Sequence, residues 1–209
     1  MISSDYVGVR YLDSTILQIE SNTKGSAAFI TSIGRGEDMY LTRNVPIPNF
    51  NLQWFRFNEG GQAMFSAGTG PYISPGAGII VRANTKVPIV SGYRNVYSSK
   101  GELVWSAVSA ALTPRVIGFF DIPAGIDIDN GRVYSQNIGT GRFILSSMSP
   151  GNISAGDGEA SPAAWSGLLF RFSGGVLSTT WVTKYQNSWA GTLKPYGLRI
   201  PYAIFPNLN

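Results

Sequence analysis

The chain has 209 residues, with 16 Lys plus Arg against 12 Asp plus Glu, a formal charge of +4, and neither cysteine nor histidine. That composition excludes a disulfide framework, a thiolate nucleophile and a cysteine-held zinc or iron–sulfur centre. It equally excludes a Ser-His-Asp triad, imidazole metal ligation and a histidine pH switch. In chain order, Tyr6 to Leu12 and Thr15 to Ile19 alternate as strands around a turn at Asp13-Ser14. Leu52 to Phe57 alternates, and Glu59-Gly60-Gly61 leads as a hairpin loop into Gln62 to Phe65. Gly78 to Arg82 is a short apolar run. Val96-Tyr97 and Leu103 to Trp105 flank a Ser98-Ser99-Lys100-Gly101 hairpin loop, whose glycine suits positive φ. Leu103 to Leu112 reads equally as a helix or as strand plus loop. Val116 to Phe120, Arg142 to Leu145, Leu168 to Phe172, Val176 to Thr183 and Leu198 to Phe205 complete the strands, with Ser173-Gly174-Gly175 as a compact turn.

Ten to twelve short strands punctuated by Gly, Pro and Asn predict an all-β fold, an antiparallel β-sandwich or jelly-roll-like domain. The prolines break any long helix. Residues 1–209 are expected to form a single β domain, with lobes 1–112 and 113–209 as the alternative division. The region 146–164, rich in Gly, Ser and Pro, reads as a long surface loop or a docking loop. The start, Met1 to Asp5, shows no basic and apolar leader pattern, and no window is long and apolar enough for a transmembrane helix. The 16 basic residues are scattered rather than striped. The expectation is therefore no membrane insertion and no nucleic-acid partner.

Without histidine and cysteine, acid–base chemistry falls to carboxylates, lysine and tyrosine. The acids near strands are Glu102, Asp121, Asp127 and Asp129, and no pair stands out as a buried couple of the kind a glycosidase uses. Asp127-Ile128-Asp129-Asn130-Gly131 begins like a calcium loop, but its glycine comes one position early and position 12 is Ile138. Asp129-Asn130-Gly131 reads instead as a type I′ turn. Gly68-Thr69-Gly70-Pro71 and Gly139-Thr140-Gly141-Arg142 lack the context of a phosphate loop and read as turns. Asn152-Ile153-Ser154 matches a glycosylation sequon without a secretory signal. No catalytic residue, metal site or cofactor is expected. Five aromatics beside Gly, Ser, Asn or Pro, namely Tyr72, Tyr93, Trp165, Tyr185 and Trp189, are the candidate binding residues, read as exposed loop side chains able to stack on a sugar or anchor an interface. Trp54 and Trp105, inside alternating strands, are expected in the core.

The segment Tyr6-Val7-Gly8-Val9-Arg10-Tyr11-Leu12-Asp13-Ser14-Thr15-Ile16-Leu17 resembles the opening of small accessory proteins of tailed-bacteriophage tails. Val96-Tyr97-Ser98-Ser99-Lys100-Gly101-Glu102-Leu103-Val104-Trp105-Ser106 looks like a second phrase common in them. The resemblance implies a non-enzymatic virion protein of the tail tip, baseplate or receptor-binding apparatus, made in the host cytoplasm. It would be a homo-oligomer contacting other tail proteins or a host-surface receptor or glycan. The resemblance carries over no functional residue, and the chain lacks the repeats of a fibre shaft. A lectin-like carbohydrate-binding module and a carboxylate-based glycan hydrolase are the alternatives.

Overall fold

The computed structural model describes residues 10–16, 52–58, 63–66, 71–73, 78–84, 89–111, 113–154, 164–206 and 208. Fourteen strands run through these residues: β1 (Arg10–Ile16), β2 (Leu52–Phe57), β3 (Ala63–Ser66), β4 (Pro71–Ile73), β5 (Gly78–Asn84), β6 (Asn95–Tyr97), β7 (Leu103–Ser106), β8 (Arg115–Ile122), β9 (Tyr134–Asn137), β10 (Phe143–Leu145), β11 (Gly151–Ser154), β12 (Ala164–Ser173), β13 (Val176–Lys184) and β14 (Leu198–Ile204). The excess over ten to twelve comes from pieces such as β4 and β11, too short for alternation to reveal. A single helical turn, α1 (Ala107–Ala110), follows β7.

The strands form two six-stranded antiparallel sheets and one small hairpin. The first sheet has the order β1-β5-β2-β10-β14-β8. The second has β4-β3-β12-β13-β9, with β11 sharing an edge of β12 with β3. Aromatic side chains join the layers. Phe57 of β2 stacks on Phe172 of β12 at 5.9 Å, and Phe120 of β8 meets Phe170 edge-on at 6.1 Å. One buried cluster thus draws on strands from both sides of residue 112, including Trp54, Val81, Phe143, Leu177 and Ile200. Fully burying one such side chain stabilises by roughly 1.5–3 kcal/mol. The fold is an all-β sandwich, as the sequence pattern predicts.

Strands β2 to β5 are shared between the two layers. β2 pairs β5 in the first sheet, while β3 pairs β4 in the second. The expected β2–β3 hairpin is therefore corrected: these neighbours lie in different sheets, because β2 finds β5 and β10, and β3 finds β12. The loop at Glu59-Gly60-Gly61 itself lies outside the described residues. Asp13-Ser14 is likewise no turn. Both residues pair within β1, opposite Arg82 and Val81, with a register shift between Tyr11 and Asp13. Strand pairing to β5 overrides the local turn chemistry there; Tyr6 to Val9 lie outside the described residues. The Leu103 to Leu112 ambiguity resolves as both options in sequence, β7 and then α1, whose first turn is capped by Ser106 Oγ accepting from Ser109 N–H. Within 146–164, the structure shows a 3-10 turn at Ser146–Met148 and β11; residues 155–163 lie outside the described residues.

Strand β12 breaks the two-residue period. Ala164 to Phe170 of β12 are all buried. Leu168, Phe170 and Phe172 face the core cluster, whereas Trp165 and Leu169 are buried on the opposite face. At the rim of the sandwich, Gln136 of β9 ties the two sheets. Its amide accepts from Asp121 N–H (2.9 Å) and donates to Phe119 O (2.8 Å), occupying the outer edge of β8 as a strand would.

Candidate binding surface

The acids closest to a catalytic or metal-binding pattern have structural partners. Asn130 and Gly131 have φ of 54° and 79°, and Arg132 N–H donates to Asp129 O, as a type I′ turn requires. This turn presents Asp129, buried, to a segment sixty residues on. Its carboxylate accepts from Trp189 N–H (2.9 Å) and Ala190 N–H (2.7 Å). Ile128 O accepts from Trp181 N–H (2.8 Å) and from Thr180 Oγ1 (2.9 Å), and the Trp189 indole donates to Ile126 O (2.8 Å). Asp127 accepts from Asp129 N–H and pairs with Arg132 and Lys194. Asp121 pairs with Arg199, whose guanidinium lies 4.1 Å from the centre of the Phe119 ring. Among the described residues, no group of three His, Cys, Asp or Glu could hold a metal ion.

The hydrogen bond from Asp129 N–H, followed by that from Lys194, holds the Asp127 carboxyl below its ordinary value of 3.8. A carboxylate lowered on folding contributes stability above its unfolded value, and that contribution is lost as pH falls through the lower folded value. Asp127→Asn is expected to remove this part of the acid sensitivity. Denaturant melts from neutral pH to below 3.8 should show a shallower decline for the variant than for the parent chain.

Residues 89–111 form a hairpin appendage between β5 and β8. β6 and β7 pair around a turn in which Gly101 has φ of 79°, as its sequence predicts. The base is held by serines: Ser106 Oγ donates to Val90 O (2.5 Å), and Ser109 Oγ accepts from Val90 N–H (2.8 Å). Ser106 and Ser109 are its buried residues, while Leu103, Val104 and Trp105 are half-buried. Tyr93 is 84% exposed, and Val90, Tyr97 and Val108 of the same appendage are exposed as well. The expectation that Trp105 is core is corrected: its strand belongs to the two-stranded hairpin, not to either layer.

A second exposed aromatic ends β13. Tyr185 is 73% exposed and has φ of 56°, a left-handed backbone that costs a non-glycine residue roughly 1–2 kcal/mol. Two bonds hold the turn. Thr183 Oγ1 donates to Gln186 O (2.8 Å), and the Trp181 indole donates to Asn187 O (2.9 Å). Lys184 stands directly across from Trp165 in the β12–β13 ladder. Its ammonium lies 5.0 Å from the Trp165 ring centre and 5.9 Å from that of Tyr185.

A family model described as "Domain of unknown function (DUF8377)" matches residues 1–207. The chain belongs to the DUF8377 family. No curated protein and no solved structure matches it. Of the five candidate residues in this DUF8377 chain, Tyr93 and Tyr185 are exposed as expected, on different elements. Tyr72 lies in β4, with its side chain outside the described residues. Trp165 and Trp189 are corrected: they are 2% and 0% exposed. Trp165 is taken into β12 and covered by Lys184. Trp189 is drawn inward beside Trp181, at 5.8 Å, by the Asp129 and Ile126 bonds. Neither ring can serve as a stacking platform. Sequence reasoning missed Tyr97 and Tyr196, both exposed. Lys194-Pro195-Tyr196-Gly197, a proline–glycine turn around an aromatic, was a signal for the second.

Proposed function

We propose that this DUF8377 protein is a non-enzymatic component of a bacteriophage tail, at the tip, baseplate or receptor-binding apparatus. It works by protein–protein or host-surface binding as a homo-oligomer. The observation that carries this reading is the appendage 89–111, which presents Tyr93 and Tyr97 to solvent on a serine-anchored hairpin. An aromatic side chain offers large contact area with few rotors to immobilise. The same hairpin contains the second of the two segments that resemble tail accessory proteins. Replacing Tyr93 and Tyr97 together by Asp is expected to weaken self-association, or capture of other tail proteins, by about tenfold or more, with an unchanged melting curve. Light scattering after size exclusion and pull-down against tail proteins check this. A parent chain that stays monomeric and captures neither tail proteins nor cell-surface glycan overturns the reading. The lectin-like alternative is favoured by one observation, the Lys184–Tyr185 pair.

A further inference from the structure

We propose that Lys184 and Tyr185 form a binding site for an acidic sugar, in which the Tyr185 ring stacks on the sugar face and the Lys184 ammonium pairs with the sugar's carboxylate. The site rests on the host-surface arm of the function proposed above. Three observations carry it.

First, the Lys184 ammonium is held over the faces of Trp165 and Tyr185 and has no carboxylate partner among the described residues. Asp121 and Asp127 pair with other cations, and Asp129 is taken by backbone amides. Contact with a ring face steadies the cation without supplying a counter-charge, so an anionic ligand would add to what the described residues provide. Second, Tyr185 keeps a left-handed backbone while its ring packs against little, being mostly exposed. Strain that burial does not offset is the kind found where a side chain is being presented. A glycine would occupy this position without steric penalty and would present nothing. Third, the turn behind the ring is fixed at both ends by the Thr183–Gln186 and Trp181–Asn187 bonds. A platform fixed before binding loses less freedom when its ligand arrives. The combination of an aromatic face and an adjacent cation with no carboxylate partner among the described residues suits a ligand that is apolar on one face and anionic at one edge. A sugar ring carrying a carboxylate has both properties.

The test uses the full chain and immobilised oligosaccharides in matched pairs, uronate- and sialate-containing, each with the carboxylate free and methyl-esterified. The parent chain is expected to bind at least one free acid about tenfold more tightly than its ester. Lys184→Met, which keeps the apolar stem over Trp165, should lose that preference, and Lys184→Arg should keep it. Tyr185→Gly should bind about tenfold more weakly yet melt at higher denaturant concentration, because it relieves the left-handed strain. A structural role for Lys184 alone would change the melt of Lys184→Met and leave the preference for acid over ester intact. The site is overturned if acid and ester bind equally, if neither binds, or if Tyr185→Gly binds undiminished. Binding of the esters alone, or capture of tail proteins without glycan binding, overturns this site and leaves the tail function standing.

Discussion

Trp189→Ala is expected to lower the free energy of unfolding by about 3–5 kcal/mol. The indole is fully buried against Trp181, and its N–H donates to Ile126 O. Truncation opens a large cavity and orphans that carbonyl at once, so transfer, cavity and hydrogen-bond losses fall on one site. A domain of this size has a total stability of roughly 5–15 kcal/mol, so the variant should be marginal at room temperature. Urea melts followed by tryptophan fluorescence and circular dichroism would measure it. Trp189→Phe should recover part of the loss by refilling the cavity, without the bond to Ile126. A loss below about 1 kcal/mol for the alanine variant would contradict the burial described here. With the expected loss of about 3–5 kcal/mol, any loss of ligand binding by Trp189→Ala would report unfolding rather than a missing stacking surface.

Asp129→Ala should cost about 3 kcal/mol, because two amides that now donate to its carboxylate, Trp189 N–H and Ala190 N–H, would lose their acceptor. Asp129→Asn keeps one side-chain oxygen to accept with and should cost less than the alanine variant. Asp129 and Trp189 act on the same segment from opposite ends, so their effects should not add. A double-mutant cycle should return a coupling of roughly 0.5–3 kcal/mol. Equal stability of Asp129→Ala and the parent chain would contradict this role for the carboxylate.

The legible parts of the fold were those in which neighbours in sequence are also neighbours in space. The β6–β7 hairpin, the β12–β13 hairpin across Gly174-Gly175 and the closing strand β14 all follow from alternation and turn residues. Alternation says that a strand has one wet face; it does not say which sheet the strand joins. That is why Glu59-Gly60-Gly61 suggested a β2–β3 pair that does not form, and why Asp13-Ser14 looked like a turn although β5 holds both residues extended. The tryptophans failed for a related reason. Ser188-Trp189-Ala190-Gly191 has the local composition of an exposed loop, and nothing nearby in sequence announces that a carboxylate at residue 129 will pull it inward. Tyr93 and Tyr185 were legible because no distant partner among the described residues claims them.

The sharing of strands β2 to β5 between the two sheets sets the order in which the molecule can come together. β2 needs β10 from the far half of the chain, and β3 needs β12, about a hundred residues away. Neither layer can be completed while the other is missing, since one continuous segment supplies strands to both. Closing such long loops comes before any reward from packing, which places sandwiches of this kind among the slower folders, on the order of milliseconds to seconds. While the chain is still searching, the unpaired edges of its central strands are open to other chains, so crowded synthesis would favour assembly between copies that have not finished folding.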